Sequence, residues 1–235
     1  MGYQKLGVIG AMKEEIEMFH AHLQDTQETV KAGITFVEGT LHGQRIVLCR
    51  SGVGKVNAAV TTQLLIDTFG VEAIVFTGVA GAVDPALNVG DLVVSTDLMQ
   101  HDVDVTALGF PRGTIPYQES SVFTANKELR ELAAAVSREK FEGRVLEGRI
   151  LSGDQFIASR EVVSTLHSEL QGACVEMEGA AVAQVCTMNE VPFVVIRSMS
   201  DKADGSAHVN FAEFTQLASE HSFQIVDGML LRLQA

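Results

Sequence analysis

Short apolar runs alternate along the chain with segments whose apolar positions recur every three or four residues. The runs Leu6–Gly10, Ile34–Glu38, Ile46–Arg50, Ala73–Thr77, Asp91–Ser95 and Phe193–Met199 read as strands. Ala73-Ile74-Val75-Phe76 and Phe193-Val194-Val195-Ile196 are unbroken apolar stretches, the pattern of a sheet covered on both faces. Helices are predicted between them. Met12–Leu23 places Met12, Ile16 and Phe19 on one side, and Lys55–Phe69 aligns Val56, Ala59, Val60 and Leu64. Ala125–Ser137 and Glu178–Met188 are rich in helix formers. A last helix is predicted to start near Asn210, where Asn210 and Glu213 have capping-box spacing, and to run toward Leu233. Gly33–Gly54 reads as a hairpin turning at Leu41-His42-Gly43-Gln44. Such alternation predicts an α/β fold with a mostly parallel, doubly covered sheet. No repeat, low-complexity tract or linker interrupts it, so one domain over 1–235 is expected.

Composition narrows the partners. Hydrophobic residues make up 46% of the 235, enough for a large core, and 17 Lys plus Arg stand against 30 Asp plus Glu, a net charge of −13. That field repels nucleic acid and anionic membranes, whereas a small neutral or cationic ligand meets no penalty. The N-terminus has neither the apolar region of a secretory signal nor a myristoylation motif, and no run is long enough to span a bilayer. Cys49, Cys174 and Cys186 lie far apart in apolar surroundings and read as reduced core residues of a cytoplasmic protein.

Ligands of open parallel sheets sit beyond the carboxyl ends of the strands, which directs attention to four places. Gly10-Ala11-Met12-Lys13-Glu14-Glu15-Ile16-Glu17 follows the first strand; its charge pattern alone reads as acids complementing a helix dipole on a solvated face. Arg50-Ser51-Gly52-Val53-Gly54-Lys55 resembles a phosphate loop, but Cys49 and Val56 occupy the positions a Walker loop needs for Gly and Ser or Thr. By itself it reads as a tight strand-to-helix turn. Thr77-Gly78-Val79-Ala80-Gly81-Ala82 leaves backbone N–H groups open to an anion or a ribose oxygen. Finally, Cys174–Ala181 sets Glu176 and Glu178 among small apolar residues, and Arg197-Ser198-Met199-Ser200-Asp201 ends a buried strand. Buried carboxylates cost several kcal/mol unless paired or protonated, so acids in this company point to function. His101-Asp102-Val103-Asp104 lacks a matching second cluster and reads as a polar loop rather than a metal site; no metal and no cofactor is expected. Ser200 lacks the flanking glycines of a nucleophile elbow.

Together these segments resemble the bacterial 5′-methylthioadenosine/S-adenosylhomocysteine nucleosidases of the nucleoside phosphorylase fold. The marks are Gly7–Glu15, Ser51–Lys55, His101–Thr106, Ser152–Ile157, Val175–Glu178 and Arg197–Asp201, in this order over nearly the whole chain. The resemblance implies a three-layer α/β/α homodimer with a central mixed, mostly parallel sheet. It would hydrolyse methylthioadenosine and S-adenosylhomocysteine to adenine and methylthioribose or S-ribosylhomocysteine. By that similarity Asp201 protonates N7 of the leaving adenine, Ser200 orients it, Glu15 activates water and Arg197 helps to place that water. Phe156 and Ile157 read the adenine, with Phe156 stacked on it. Met177 and Glu178 hold the ribose, with Glu176 beside them; Val79, Ala80 and Gly81 are further candidate contacts. Val53, with Val105, Leu108 and Pro116 of the partner chain, lines the 5′-alkylthio pocket. Two positions depart from the family's pattern: Val79 stands where many members carry Ser as a water contact, and Leu108 where an aromatic residue is common.

The chemistry wants these groups. Glycosidic cleavage builds an oxocarbenium-like sugar and negative charge on the base. An acid at N7 is typically worth about 10²–10⁴-fold. A second carboxylate, ionised, accepts the proton of water, and a third beside the ribose stabilises the developing cation. Three other readings stay open: a nucleoside phosphorylase, an aminodeoxyfutalosine hydrolase using nearly the same residues, and a non-catalytic nucleoside-binding module.

Overall fold

The computed structural model describes residues 2–203 and 207–233; the side chains of 207–213, 215 and 218 fall outside the description. In chain order the elements are β1 (Lys5–Gly10), α1 (Lys13–His22), β2 (Gln24–Lys31), β3 (Ile34–Leu41), β4 (Gln44–Arg50), α2 (Lys55–Asp67), β5 (Ala73–Ala82) and β6 (Leu92–Gln100). They continue with β7 (Val122–Thr124), α3 (Lys127–Lys140), β8 (Val145–Ser152), α4 (Arg160–Leu170), β9 (Gly172–Glu176), α5 (Gly179–Met188), β10 (Phe193–Asp201) and α6 (Ala207–Leu233).

The strands form one mixed sheet in the order β10-β6-β8-β9-β5-β1-β4-β3-β2, with β7 on β6. Strand β10 also pairs with β5, so β5, β10, β6, β8 and β9 close on themselves while β1, β4, β3 and β2 extend from β5. At the centre β4, β1, β5 and β10 run parallel. Their carboxyl ends therefore converge at one edge, where the four segments named above begin.

Two apolar layers cover the sheet. Ala58 and Leu65 of α2 and Ala180, Val182, Ala183 and Cys186 of α5 pack on one face against Ile9, Ile74, Phe76 and Val195. Phe19 of α1, Leu129 and Ala133 of α3 and Phe223, Val226 and Met229 of α6 pack on the other against Val8, Val75 and Val194. Consecutive strand residues thus serve opposite layers, as the period of a pleated strand requires, and the fold is the expected α/β/α arrangement. Helix α3 starts where Asn126 accepts N–H bonds from Glu128 (3.1 Å) and Leu129 (3.0 Å), satisfying two first-turn donors. Helix α6 is already helical at Ala207, so Asn210 lies within the helix instead of capping it; its side chain and that of Glu213 lie outside the described residues.

Candidate active site

A cavity of about 210 Å³ opens at the strand ends. Its wall combines Ala11, Met12 and Glu15 after β1, Val53 after β4, Val79, Ala80 and Gly81 on β5, and Gln155, Phe156 and Ile157 after β8. Val175, Glu176, Met177 and Glu178 at the end of β9, with Ser200 and Asp201 at the end of β10, complete it.

Glu15 is buried, whereas its neighbours Glu14 and Glu17 are exposed, so two of the three acids belong to a solvated face and one does not. Its Oε2 accepts the N–H groups of Ala11 (2.6 Å) and Met12 (2.9 Å), and its Oε1 accepts that of Val79 (3.0 Å). The backbone donors of the Thr77–Ala82 segment are thus partly spent on the protein's own carboxylate. Burial raises the Glu15 carboxyl above its ordinary range, against the pull of Arg197 and the three N–H groups. Two glycines make room for it. A Cβ on Gly10 would lie 2.9 Å from Glu15 Cβ, and one on Gly78 only 2.3 Å from Glu15 Oε1.

At the far side of the cavity, Asp201 is buried; its Oδ2 accepts the Ser200 hydroxyl (2.8 Å) and its Oδ1 the Ala203 N–H (2.6 Å). The β10–β5 register slips between Met199 and Asp201. Bulges re-aim side chains at the ends of strands, and this one delivers Ser200 and Asp201 together to the cavity although they are adjacent in sequence.

Glu176 belongs to the wall and to the scaffold at once. Its carboxylate pairs with Arg197, accepts the Ser152 hydroxyl, and takes the Gly179 N–H at 2.9 and 2.7 Å on its two oxygens. The first N–H of α5, which has no partner within the helix, is satisfied in this way. Glu178 accepts the Gly54 N–H (2.8 Å). Burial, with the Glu176 charge beside it, pushes its carboxyl up to about 7.

Arg197 stands behind the cavity rather than on its wall. Its guanidinium is fully buried behind the wall, 4.0 Å over the Phe76 ring and bonded to Glu176, and does not line the cavity. It faces inward from β10 ahead of the bulge, where the charges of Glu176, Glu15 and Glu178 surround it. Val105 and Pro116, half-buried, and Leu108, 70% exposed, do not line this chain's cavity either. Phe156 is 56% exposed at the mouth, whereas Ile157 is buried.

Sequence reasoning passed over Gly54, Ser152 and Gly78 as site residues. Gly54 sits in the loop that resembled a phosphate cradle, and its N–H is occupied by Glu178 while that of Lys55 is occupied by Asp154 (2.8 Å). Carboxylates of the protein itself hold the donors that a phosphate would need. Among the described residues, no lysine or arginine lines the cavity.

Parallel strands converging on an acid-lined cavity with one guanidinium behind it define a sheet enzyme of the phosphorylase superfamily, and the model of that superfamily matches residues 5–231. Within it the chain belongs to the family of 5′-methylthioadenosine/S-adenosylhomocysteine nucleosidases. It is 41% identical to the nucleosidase of Shewanella loihica over 97% of this chain and 100% of the relative. It is 40% identical to that of Glaesserella parasuis over 96% of this chain and 98% of the relative. The Neisseria meningitidis nucleosidase in complex with methylthio-immucillin-A superposes with a TM-score of 0.92 at 38% identity, covering 97% of this chain and 98% of the other. A futalosine hydrolase of Helicobacter pylori matches equally well, with a TM-score of 0.92, 38% identity and coverages of 97% and 98%.

Proposed function

We propose that this protein hydrolyses the N-glycosidic bond of 5′-methylthioadenosine and S-adenosylhomocysteine, releasing adenine and the matching thioribose. The observation that carries the reading is the placement of Glu15 and Asp201 on one cavity. Glu15 packs at Gly78 and Asp201 at Gly81, three residues further along β5.

Asp201, held by Ser200, gives its proton to N7 of the departing purine, while Glu15 takes a proton from the water that attacks the anomeric carbon. Glu178 bonds the ribose hydroxyls, with Met177 beneath the sugar and Glu176 holding the start of α5 in place. Phe156 stacks on the base, and backbone groups of Phe156 and Ile157 read its edge. Ala80 and Gly81 approach the ligand closely. Val79 reaches the nucleophile side through its backbone, whose N–H holds Glu15. A Helicobacter pylori relative at 39% identity was crystallised as an aspartate-to-asparagine variant with 5′-methylthioadenosine in its active site, which supports an aspartate in the chemical step.

Water fits the nucleophile position better than phosphate, because four carboxyl groups line the cavity and the nearest guanidinium is already paired. The cavity is smaller than the ~300–1,000 Å³ of small-molecule sites. Exposed Val53, Val56, Val60 and Leu108 are apolar surface awaiting cover. A homodimer in which Val105, Leu108 and Pro116 of one protomer close the 5′ pocket beside Val53 of the other accounts for both. One unit spanning the chain, working in the cytoplasm with its buried cysteines free, completes the proposal.

A second reading, aminodeoxyfutalosine hydrolysis, is favoured by the futalosine hydrolase likeness and by Leu108, which gives a wider 5′ pocket than an aromatic residue would. The test is incubation of the purified protein with methylthioadenosine, S-adenosylhomocysteine, adenosine, inosine and aminodeoxyfutalosine, with and without phosphate. Free adenine from the first two without phosphate is expected. A base released only with phosphate, together with ribose 1-phosphate, would make it a phosphorylase.

A further inference from the structure

Three segments that the reaction leaves largely unused, Ser51–Lys55, His101–Asp104 and Ser152–Gln155, meet at one corner of the cavity and close a ring of polar contacts. Lys55 Nζ donates to Asp102 Oδ1 (2.6 Å) and to Gln100 Oε1 (2.9 Å). Asp102 Oδ2 accepts the Asp154 N–H (2.9 Å), and Asp154 Oδ1 accepts the Lys55 N–H (2.8 Å), returning to the start. Gln100 extends the ring to Gln184 on α5 (2.6 Å). The Lys55 and Asp102 side chains are only 17% and 16% exposed, so the pair is partly shielded from solvent.

The fit is close on every side. Gly54 has φ +98°, and a Cβ there would meet Asp154 Oδ1 at 3.1 Å. A Cβ on Gly153 would stand 2.5 Å from Nε2 of the fully buried His101. These are positions where only glycine serves. On one side of the ring Val53 and the Gly54 N–H that holds Glu178 follow directly; on the other, Phe156 and Ile157 stand just beyond Asp154.

We propose that Asp102 is a positioning residue which, with Lys55 and Asp154, locks the loop bearing Val53 to the loop bearing Phe156 and Ile157, so that a nucleoside enters a preformed slot. This rests on the nucleoside reading above. The lock removes the ordering of two loops from the cost of binding, and it touches neither Glu15 nor Asp201. Its loss weakens ground state and transition state alike, which raises KM and leaves kcat in place.

The test is steady-state hydrolysis of methylthioadenosine by the full-length protein and by Asp102→Asn, Lys55→Met, Lys55→Arg and the Asp102→Asn/Lys55→Met double variant. Asp102→Asn and Lys55→Met should each raise KM about tenfold with kcat held within about twofold. The double variant should do no more than the worse single one, since the ring is already open. Lys55→Arg, which keeps the cation, should stay near the parent. An unchanged KM in a folded Asp102→Asn protein, a falling kcat, or multiplying effects in the double variant would each overturn the proposal. Should Asp102→Asn fail to fold, equal KM values for Lys55→Met and Lys55→Arg overturn it too. A parent protein that releases no adenine overturns the nucleosidase reading and the lock with it. An active parent with indifferent variants overturns the lock alone.

Discussion

Gly78→Ala is the sharpest small perturbation of this site. Alanine suits an extended strand, and Gly78 does not have a positive φ, so the backbone accepts the change and only the added methyl matters. That methyl would stand 2.3 Å from Glu15 Oε1, 2.8 Å from its Cδ and 2.4 Å from Arg197 Nη1. Ordinary contact needs roughly 3.5 Å, so carboxylate and guanidinium must each retreat by about 1 Å. The Glu15 carboxylate hangs on three N–H bonds of 2.6 to 3.0 Å, and a retreat of that size breaks at least the one from Val79. Misplacing a reacting group by about 1 Å costs on the order of 10²-fold. Overpacking adds a stability loss of about 1–3 kcal/mol, or a thermal midpoint lowered by roughly 2–12 °C for a chain of this size. Adenine release followed by ultraviolet absorbance, with circular dichroism melts alongside, measures both quantities. A folded Gly78→Ala protein with near-parental kcat would refute the placement of Glu15 as the base.

Other outcomes follow from the same geometry. Glu15→Gln should bind nucleoside yet lose about 10²–10⁴-fold in turnover, read by inhibitor binding against adenine release. Because the Glu15 carboxyl is raised and must be ionised to act, kcat/KM should fall as pH drops through that raised value, and a flat acid limb in a pH–rate profile would count against it. Asp201→Asn should abolish adenine release without unfolding, since the asparagine oxygen still accepts one of the two bonds now made; near-parental turnover removes Asp201 as the acid. Glu178 rises from 4.5 to about 7 on folding, so the native state holds the extra proton and stability declines as pH climbs through that window. Glu178→Gln still accepts the Gly54 N–H but sheds this penalty of about 3 kcal/mol at most. Its melting point should therefore gain on the parent between about pH 5 and about pH 8; no gain would contradict the raised carboxyl.

The central strands were legible because they are apolar on both faces, and the hairpin Ile34–Arg50 because His42-Gly43 marks its turn. Strand β8 escaped notice because Glu147 and Arg149 interrupt its apolar pattern; in the fold they are half-buried and pair with Arg130, Arg138 and Asp97. Strand β2 is almost wholly exposed and polar, held in place by β3 rather than by any burial of its own. Glu176, Glu178 and Asp201 were readable as carboxylates in unsuitable company, whereas the charge pattern alone put Glu15 on a solvated face. Their partners were not, since Ser152 on Glu176 and Gly54 on Glu178 are contacts between segments far apart in sequence. Arg197 entered through the resemblance alone; its burial behind the wall and its pairing with Glu176 had no signal in the sequence.

Strand β10 is laid between β5 and β6, both made much earlier in the chain. It acts as a keystone: until it slots in, two long neighbours keep raw edges ready to stick to other molecules. It also carries Asp201, the proposed proton donor, at its tip, so that residue arrives in the same movement that shuts the ring. On the proposed assignment a partly assembled chain lacks its acid, so competence to cut the nucleoside comes only with the finished fold.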